Sequence, residues 1–285
     1  VIIGGKKILR VFPQRTSMTP ADDMVAIGIP GIFDMDKKMR READEVHVSC
    51  AFRWDKKLAE RLGEIWSSAY ENVKVGGPAF GDKGDEFTPG LYVKRGVTFT
   101  SRGCPNSGSG RCPWCLVSAP FREIEIKPGN IIQDNNILAS SDGHFAKVID
   151  MLNAERLGAY FKGGLESRRL SDFHVDQFAR LRTIKELWFA CDNAKSFAPL
   201  QRAIEKLRRL QLGRRKLRCY VMIGFSGESV ASAAERLQAI WDIGMLPFSQ
   251  LYRGPDEVNF YSQEWLDLNR EWSRPAAMYA TQEKK

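Results

Sequence analysis

Apolar and polar positions fall into two registers along the chain. In the first register, short strand-like runs occupy Lys7–Phe12, Met24–Ile29, Glu45–Ala51 and Val73–Gly76. Between the last two, Lys56–Tyr70 carries Leu58, Leu62, Ile65 and Trp66 at i, i+4, i+7 and i+8, the spacing of one helical face. This predicts a β-α-β unit closed by Gly76-Gly77-Pro78. The following Gly81-Asp82-Lys83-Gly84-Asp85 has the turn chemistry of a linker. From Val97 onward the alternation is more regular. Strands are predicted at Val97–Ser101, Asn130–Asp134, Ala159–Lys162, Glu186–Ala190, Leu217–Gly224 and Leu246–Tyr252. Helices are predicted at Gly143–Leu157, Val175–Leu181, Phe197–Leu210 and Ala231–Ile243, with Leu200, Ala203, Ile204 and Leu207 forming one apolar face of the third.

Six βα-type repeats predict a parallel sheet, either open or curled into a barrel, with its working face at the carboxyl ends of the strands. The expected organisation is a small α/β domain over 1–94, the repeat domain over 95–254, and a polar tail over 255–285. The tail reads as one helix plus an extended end.

Composition narrows the class. At 43% hydrophobic and 27% charged over 285 residues, the chain has ordinary globular proportions and enough length for a core without disulfide staples. A disordered chain, a collagen-like repeat and a disulfide-rich miniprotein are excluded. Apolar runs fall short of the ~20 residues of a membrane-spanning helix, and no secretory leader opens the chain, so a cytoplasmic location and no membrane partner are expected. The net charge of +8 admits a polyanionic partner such as RNA without establishing one. The basic run Arg202–Arg218 reads first as the solvated face of an amphipathic helix and second as a nucleic-acid patch.

The most informative feature is a cluster of cysteines. Of the six in the chain, Cys104, Cys112 and Cys115 lie in the stretch TFTSRGCPNSGSGRCPWCLV, spaced C-x7-C-x2-C. The glycines and serines between the first two allow the backbone to wrap closely around a group. Clustered thiols in a chain of this size point to metal or redox chemistry. Thiolates suit zinc or iron–sulfur. A structural metal site normally takes four protein ligands, and the nearest further Cys or His by sequence are Cys50, His144 and Cys191. Three local thiolates would hold a four-iron cluster with one iron open to an exogenous ligand. A zinc knuckle completed by a distant residue is the alternative. Cys50, Cys191 and Cys219 sit in apolar strand contexts, where free Cys packs as a small hydrophobe.

In these residues the chain resembles the radical S-adenosylmethionine (radical SAM) enzymes. Their signature is three cysteines in the loop after the first barrel strand, usually C-x3-C-x2-C, with an aromatic before the last; Trp114 occupies that position. The lead-in Ser101-Arg102-Gly103-Cys104-Pro105 is similar to that of members carrying an N-terminal cobalamin-type domain. The first gap departs from the pattern, being seven residues instead of three. Further likeness lies in Gln133-Asp134-Asn135-Asn136 ending the second strand, in Gly164-Leu165-Glu166-Ser167-Arg168 after the third, and in Gly227-Glu228-Ser229 after the fifth.

The resemblance implies a partial (β/α)6 barrel preceded by a small Rossmann-like α/β domain. It also implies a [4Fe–4S] cluster on Cys104, Cys112 and Cys115, and S-adenosylmethionine held near Trp114, Asp134, Asn135, Glu166, Arg168, Asp192 and Tyr252. The activity implied is reductive cleavage of SAM to a 5′-deoxyadenosyl radical, with a flavodoxin or ferredoxin as reductant. No catalytic residue, substrate or later step is indicated. No second cysteine cluster is visible in the sequence, which lowers the odds of methylthiolation.

Plainer roles stand beside these. Asp134 to Asn136 also read as a polar strand end, Glu166 and Arg168 as a surface ion pair, Asp192 as a helix cap, and Tyr252 as barrel lining. The N-terminal segment resembles a shortened cobalamin-binding domain but lacks the D-x-H-x-x-G loop that ligates cobalt, His47 falling inside a strand. Two rivals to the enzyme are a non-enzymatic zinc- or cluster-bearing RNA-binding protein and a barrel that has lost catalysis.

Overall fold

The computed structural model describes residues 2–36, 38–82, 87–108, 112–254 and 260–282. The chain is an α/β protein whose two main sheets are largely parallel. It divides into two compact units at Val97/Thr98, three residues beyond the boundary expected from the sequence. Part of the expected linker, residues 83–85, lies outside the described residues. Among the described residues no helix is long and apolar enough to cross a membrane.

The first unit contains β1 (Lys6–Phe12), β2 (Val25–Ile27), β3 (Glu45–Ser49), helix α1 (Lys56–Ser67) and β4 (Val73–Gly76). Strand β1 pairs in parallel with both β2 and β3, and β3 with β4; a short strand at Ile2–Ile3 pairs antiparallel with β1 and completes a five-stranded sheet. Leu62 and Trp66 of α1 pack with Leu9, Val11, Val46 and Val48 into a core of their own. A Cβ on Gly63 would stand 2.4 Å from Cγ2 of Val75, so glycine is what lets the helix approach the sheet.

Arg10 is fully buried on β1. Its guanidinium donates to the carbonyls of Leu91 at 2.7 Å and Gly90 at 3.1 Å and pairs with Asp22, which fastens the exit segment to the sheet. His47 lies inside β3, as the sequence indicates. Its ring nitrogens engage Glu45 at 2.8 Å and the Tyr92 hydroxyl at 2.5 Å. Lys6, Lys74 and His47 together hold the Glu45 carboxyl well below the usual carboxylate range.

The second unit is a sheet of six strands: β5 (Val97–Thr98), β6 (Ile131–Ile132), β7 (Ala159–Leu165), β8 (Ile184–Ala190), β9 (Leu217–Ile223) and β10 (Leu246–Leu251). They lie side by side in chain order, and β6 to β10 are parallel. This order has a consequence. Right-handed crossovers between neighbours that always advance in one direction place every connecting helix on the same face of the sheet. A doubly wound sheet reverses direction and covers both faces.

The connecting helices are α2 (Asp142–Ala154), α3 (Asp172–Ala179), α4 (Phe197–Leu207) and α5 (Val230–Asp242). Three of them, α2, α3 and α5, begin at a serine cap. The Ser141, Ser171 and Ser229 hydroxyls accept from the backbone amides of His144, His174 and Ser232. Alternation along β9 shows the two faces. Cys219, Val221 and Ile223 are buried in the core with the helices, whereas Arg218, Tyr220 and Met222 are half-exposed on the other side. On that second face Trp188 stacks on Tyr220 at 4.3 Å, and Glu186 accepts from Trp188 at 2.8 Å while pairing with Lys162 at 3.2 Å.

The tail corrects its expectation. It forms two helices, α6 (Gln263–Trp272) and α7 (Pro275–Gln282), and no extended end follows within the described residues. Pro275 opens the second helix at a position where its missing N–H costs nothing. Leu268, Trp272 and Met278 enter the main core.

Phe178 is fully buried, edge-on to Phe161 at 5.1 Å and Phe145 at 5.6 Å. Phe178→Ala is expected to cost about 3–5 kcal/mol, read in urea unfolding as a lower midpoint at unchanged slope.

Candidate functional site

The cysteine loop leaves the sheet at β5. After Thr98 the chain bends, and Ser101–Arg102 pairs antiparallel with Arg122–Glu123, so the loop is pinched at its base. The predicted single strand Val97–Ser101 is therefore broken in two. Gly103 makes the pinch feasible: its φ is +73°, and a Cβ there would lie 2.0 Å from the carbonyl oxygen of Pro120. Across the base Cys104 N donates to Ala119 O at 3.2 Å and the Ser107 hydroxyl to Val117 O at 2.9 Å. Residues 109–111, between the first two cysteines, lie outside the described residues. Beyond them Cys115 N donates to Cys112 O at 2.9 Å, and Val117 N points at Cys115 Sγ at 3.4 Å.

Asp134 holds this loop to the sheet. It is 1% exposed, and its carboxylate accepts from Thr100 N at 2.7 Å, Thr100 Oγ1 at 2.6 Å and Ser101 Oγ at 2.7 Å. Burial pushes its carboxyl pKa up, against the three donors. The sequence points to SAM contact; in the structure Asp134 braces the strand that leads into Cys104. Gly163 on β7 is part of the same joint, because a Cβ there would fall 1.7 Å from Asp134 O. His144 of α2 adds a further tie through Nε2 to Thr100 O at 2.9 Å.

Around the loop the carboxyl ends of the other strands supply the remaining candidates. Asn136, after β6, is 3% exposed and donates to Glu166 Oε2 at 2.8 Å and, weakly, toward Cys104 Sγ at 3.9 Å; its Oδ1 is buried with no partner among the described residues. Glu166, after β7, also takes Arg169 at 2.8 Å and Arg168 at 3.2 Å. Desolvation would raise its pKa, but hydrogen bonds from Asn136, Asn106 and Arg169 outweigh it and hold the carboxyl below its ordinary value. Asp192, after β8, accepts from Met222 N at 2.9 Å, and burial raises its pKa. Glu228 accepts from Gly224 N at 2.9 Å and pairs with the buried Arg236, an architectural joint at the turn after β9.

Several of these groups share one region. Burial raises the Cys112 thiol pKa, and its electrostatic neighbours are Cys115, Asp192 and Cys104, which raise it further, and Arg168, which lowers it. Trp114 stands edge-on to Phe225 at 5.4 Å, and Phe225 edge-on to Tyr252 at 4.9 Å, an aromatic row from the cysteine loop to the end of β10. Asn135 points into solvent and is not drawn into these contacts. Among the described residues no three His, Cys, Asp or Glu side chains are gathered closely enough to hold a single metal ion.

Sequence reasoning missed Phe225, His144, Thr100 and Ser101. Only Phe225 carried a local signal, adjoining the Ser226-Gly227-Glu228 turn. Cys191 and Cys219 are buried in the main core and Cys50 in that of the first unit. Compared with known proteins, the chain matches no family model and no curated sequence.

Asp134→Ala would leave the Thr100 amide and two hydroxyls without an acceptor, at about 1–3 kcal/mol for each group that stays dry. The expected result is a lower melting temperature together with faster alkylation of Cys104, Cys112 and Cys115 by a thiol reagent. The sign with pH follows from linkage. A carboxyl raised on folding binds more protons in the folded state, so its contribution to stability falls as pH rises from its ordinary pKa toward the folded one. Asp134→Asn should flatten that part of the stability–pH curve, measured by chemical unfolding at a series of pH values.

Proposed function

We propose that this chain is a radical SAM enzyme, with a partial barrel in its second unit and a cofactor-free, shortened cobalamin-type domain in its first. The observation that carries the proposal is a loop bearing Cys104, Cys112 and Cys115 that follows the first strand of a sheet laid out in chain order, with Asn136 reaching both Cys104 and Glu166 at the neighbouring strand ends. That edge is where α/β sheets place their chemistry.

The residues fit a [4Fe–4S] cluster in donor chemistry. The three thiols repel one another as thiolates, a repulsion that a cationic iron core would relieve. Each thiol of such a set takes a different iron, which asks for a broader spacing than ligation of one ion. Cys104, Cys112 and Cys115 would hold the cluster. Trp114, Glu166, Arg168, Asp192 and Tyr252 would face SAM, and Asp134 would position the loop. When bound, the cluster and SAM supply one-electron reductive cleavage of the sulfonium, giving a 5′-deoxyadenosyl radical that takes hydrogen from substrate.

The protein's own part is binding, orientation and exclusion of water. Cys112, raised by burial, gives up its proton on ligation, so loading weakens as pH falls. Val117 N–H steadies the Cys115 sulfur. Glu166 stays ionised as an acceptor for a cationic group, and Asp192 keeps one oxygen on Met222 N while the other is left for a hydroxyl. Trp114, Phe225 and Tyr252 form an apolar wall that limits access of water to a reactive radical.

The test is anaerobic reconstitution with iron and sulfide. The expected outcome is a brown protein whose reduced EPR signal changes on adding SAM and which forms 5′-deoxyadenosine with dithionite. Cys104→Ala, Cys112→Ala and Cys115→Ala should each lose the signal, while Cys219→Ala keeps it. A colourless zinc protein indifferent to SAM would refute the proposal. A protein that holds the cluster yet forms no 5′-deoxyadenosine with any reductant would refute catalysis.

A further inference from the structure

A cleft of about 190 Å³ lies between the turn that follows β7 and helix α4, lined by Ser167, Arg168, Leu170, Pro199, Arg202, Ala203 and Lys206. The helical spacing of Pro199, Arg202, Ala203 and Lys206 sets them in one stripe along α4. The volume is below the roughly 300–1,000 Å³ of a pocket for a whole drug-sized ligand. It suits one functional group of a larger molecule.

The charges around the cleft identify that group. Lys206 is matched by Asp172 at 2.8 Å, and Arg209, one turn on, by Asp176 at 2.8 Å. Arg168 and Arg169 share the single carboxylate of Glu166, which leaves one positive charge over. Arg202 has no acidic partner among the described residues and adds a second. The cleft therefore holds an excess of two positive charges beside a serine hydroxyl. A carboxylate would answer one of them, and a phosphate monoester answers both. Guanidinium groups offer paired N–H donors that match phosphate oxygens.

We propose that this cleft is a phosphate-binding subsite, formed by Arg168, Arg202, Lys206 and Ser167, which anchors a phosphorylated substrate. It rests on the radical-enzyme reading only in calling the ligand a substrate. Arg168 lines the cleft and pairs with Glu166, which accepts from the Asn136 amide that also reaches toward Cys104, so the cleft is joined to the cysteine loop through one carboxylate. A small phosphate ester brings both charges in one group, whereas the phosphodiester backbone of RNA brings one per phosphate and would answer the two cations with successive phosphates.

The experiment measures binding to the full chain, with and without reconstituted iron–sulfur. The probes are inorganic phosphate, followed by calorimetry, and a short fluorescent single-stranded RNA, followed by anisotropy over a salt series. Wild type should bind at least one probe. Arg202→Ala should weaken binding about tenfold, as for loss of one charge-assisted hydrogen bond, and Arg202→Glu should abolish it. Arg208→Ala, on the same helix end but paired with Glu205 outside the cleft, should bind like wild type. Melting temperatures of the exposed Arg202 variants should match wild type.

Phosphate binding identifies a small ester. Binding of RNA alone, with a log–log salt slope reduced by about 0.7 in Arg202→Ala, identifies a phosphodiester. Failure of wild type to bind either probe, or undiminished binding by Arg202→Glu, overturns the proposal. A chain that binds phosphate through Arg202 but takes no cluster leaves this subsite standing and removes the radical chemistry. The converse result removes the subsite alone.

Discussion

The Asp134 carboxylate lies at the end of β6 with almost no exposure to water and takes hydrogen bonds from Thr100 and Ser101, the residues that lead into the cysteine loop. A buried carboxylate is costly unless it is hydrogen-bonded, and leaving its donors unpaired is costly too. The joint is therefore stable only when it is complete. It fixes where β5 ends and in which direction Cys104 departs. Gly163 must stay small to admit the Asp134 backbone, and Gly103 must take a positive φ to admit Pro120. The base of the loop is thus set by three contacts below it.

Because the strands follow chain order, all the carboxyl ends lie along one edge in sequence. Each post-strand segment then meets its chain neighbours. Asn136 after β6 reaches Glu166 after β7, Asp192 after β8 reaches the backbone of β9, and Phe225 after β9 reaches Tyr252 after β10. Ordering by topology explains why residues scattered over more than a hundred positions form a contiguous rim. It also explains why polar joints recur there: strand-end amides have lost their ladder partners and need side-chain acceptors.

The strand-like apolar runs made β7 to β10 legible, and the helical periodicity made α2 to α5 legible, three of them starting at a serine cap in the structure. The cysteine loop and the packing of Cys191 and Cys219 were legible from residue type and context. Other features depended on distant partners. A single strand at Val97–Ser101 was a fair reading of TFTS, yet the Thr100 amide and hydroxyl turn to a carboxylate thirty-four residues away, which breaks the strand. An aspartate at the end of a strand can face a ligand or brace its neighbour, and the hydroxyls that meet Asp134 come from residues the sequence pattern does not bring to it. In the tail the polar composition with scattered aromatics points to one helix and an extended end, whereas Pro275, as a first helical residue, starts a second helix.

Glu166 shows how closely the cysteine loop and the basic cleft are joined. One of its oxygens accepts from Asn136, whose amide also leans toward Cys104, and from Arg169, while the other accepts from Arg168. With one negative charge set against two guanidiniums, it cannot neutralise both, so the surplus must face either solvent or a ligand. On the cleft side that surplus attracts an anion. On the loop side the same Arg168 eases ionisation of Cys112. An anion drawn onto Arg168 would weaken that help, and a thiolate or cluster at Cys112 would in turn compete for the same positive field. Glu166 is thus the carboxylate that ties the proposed anion site to the base of the cysteine loop, through Arg168 on one side and Asn136 on the other.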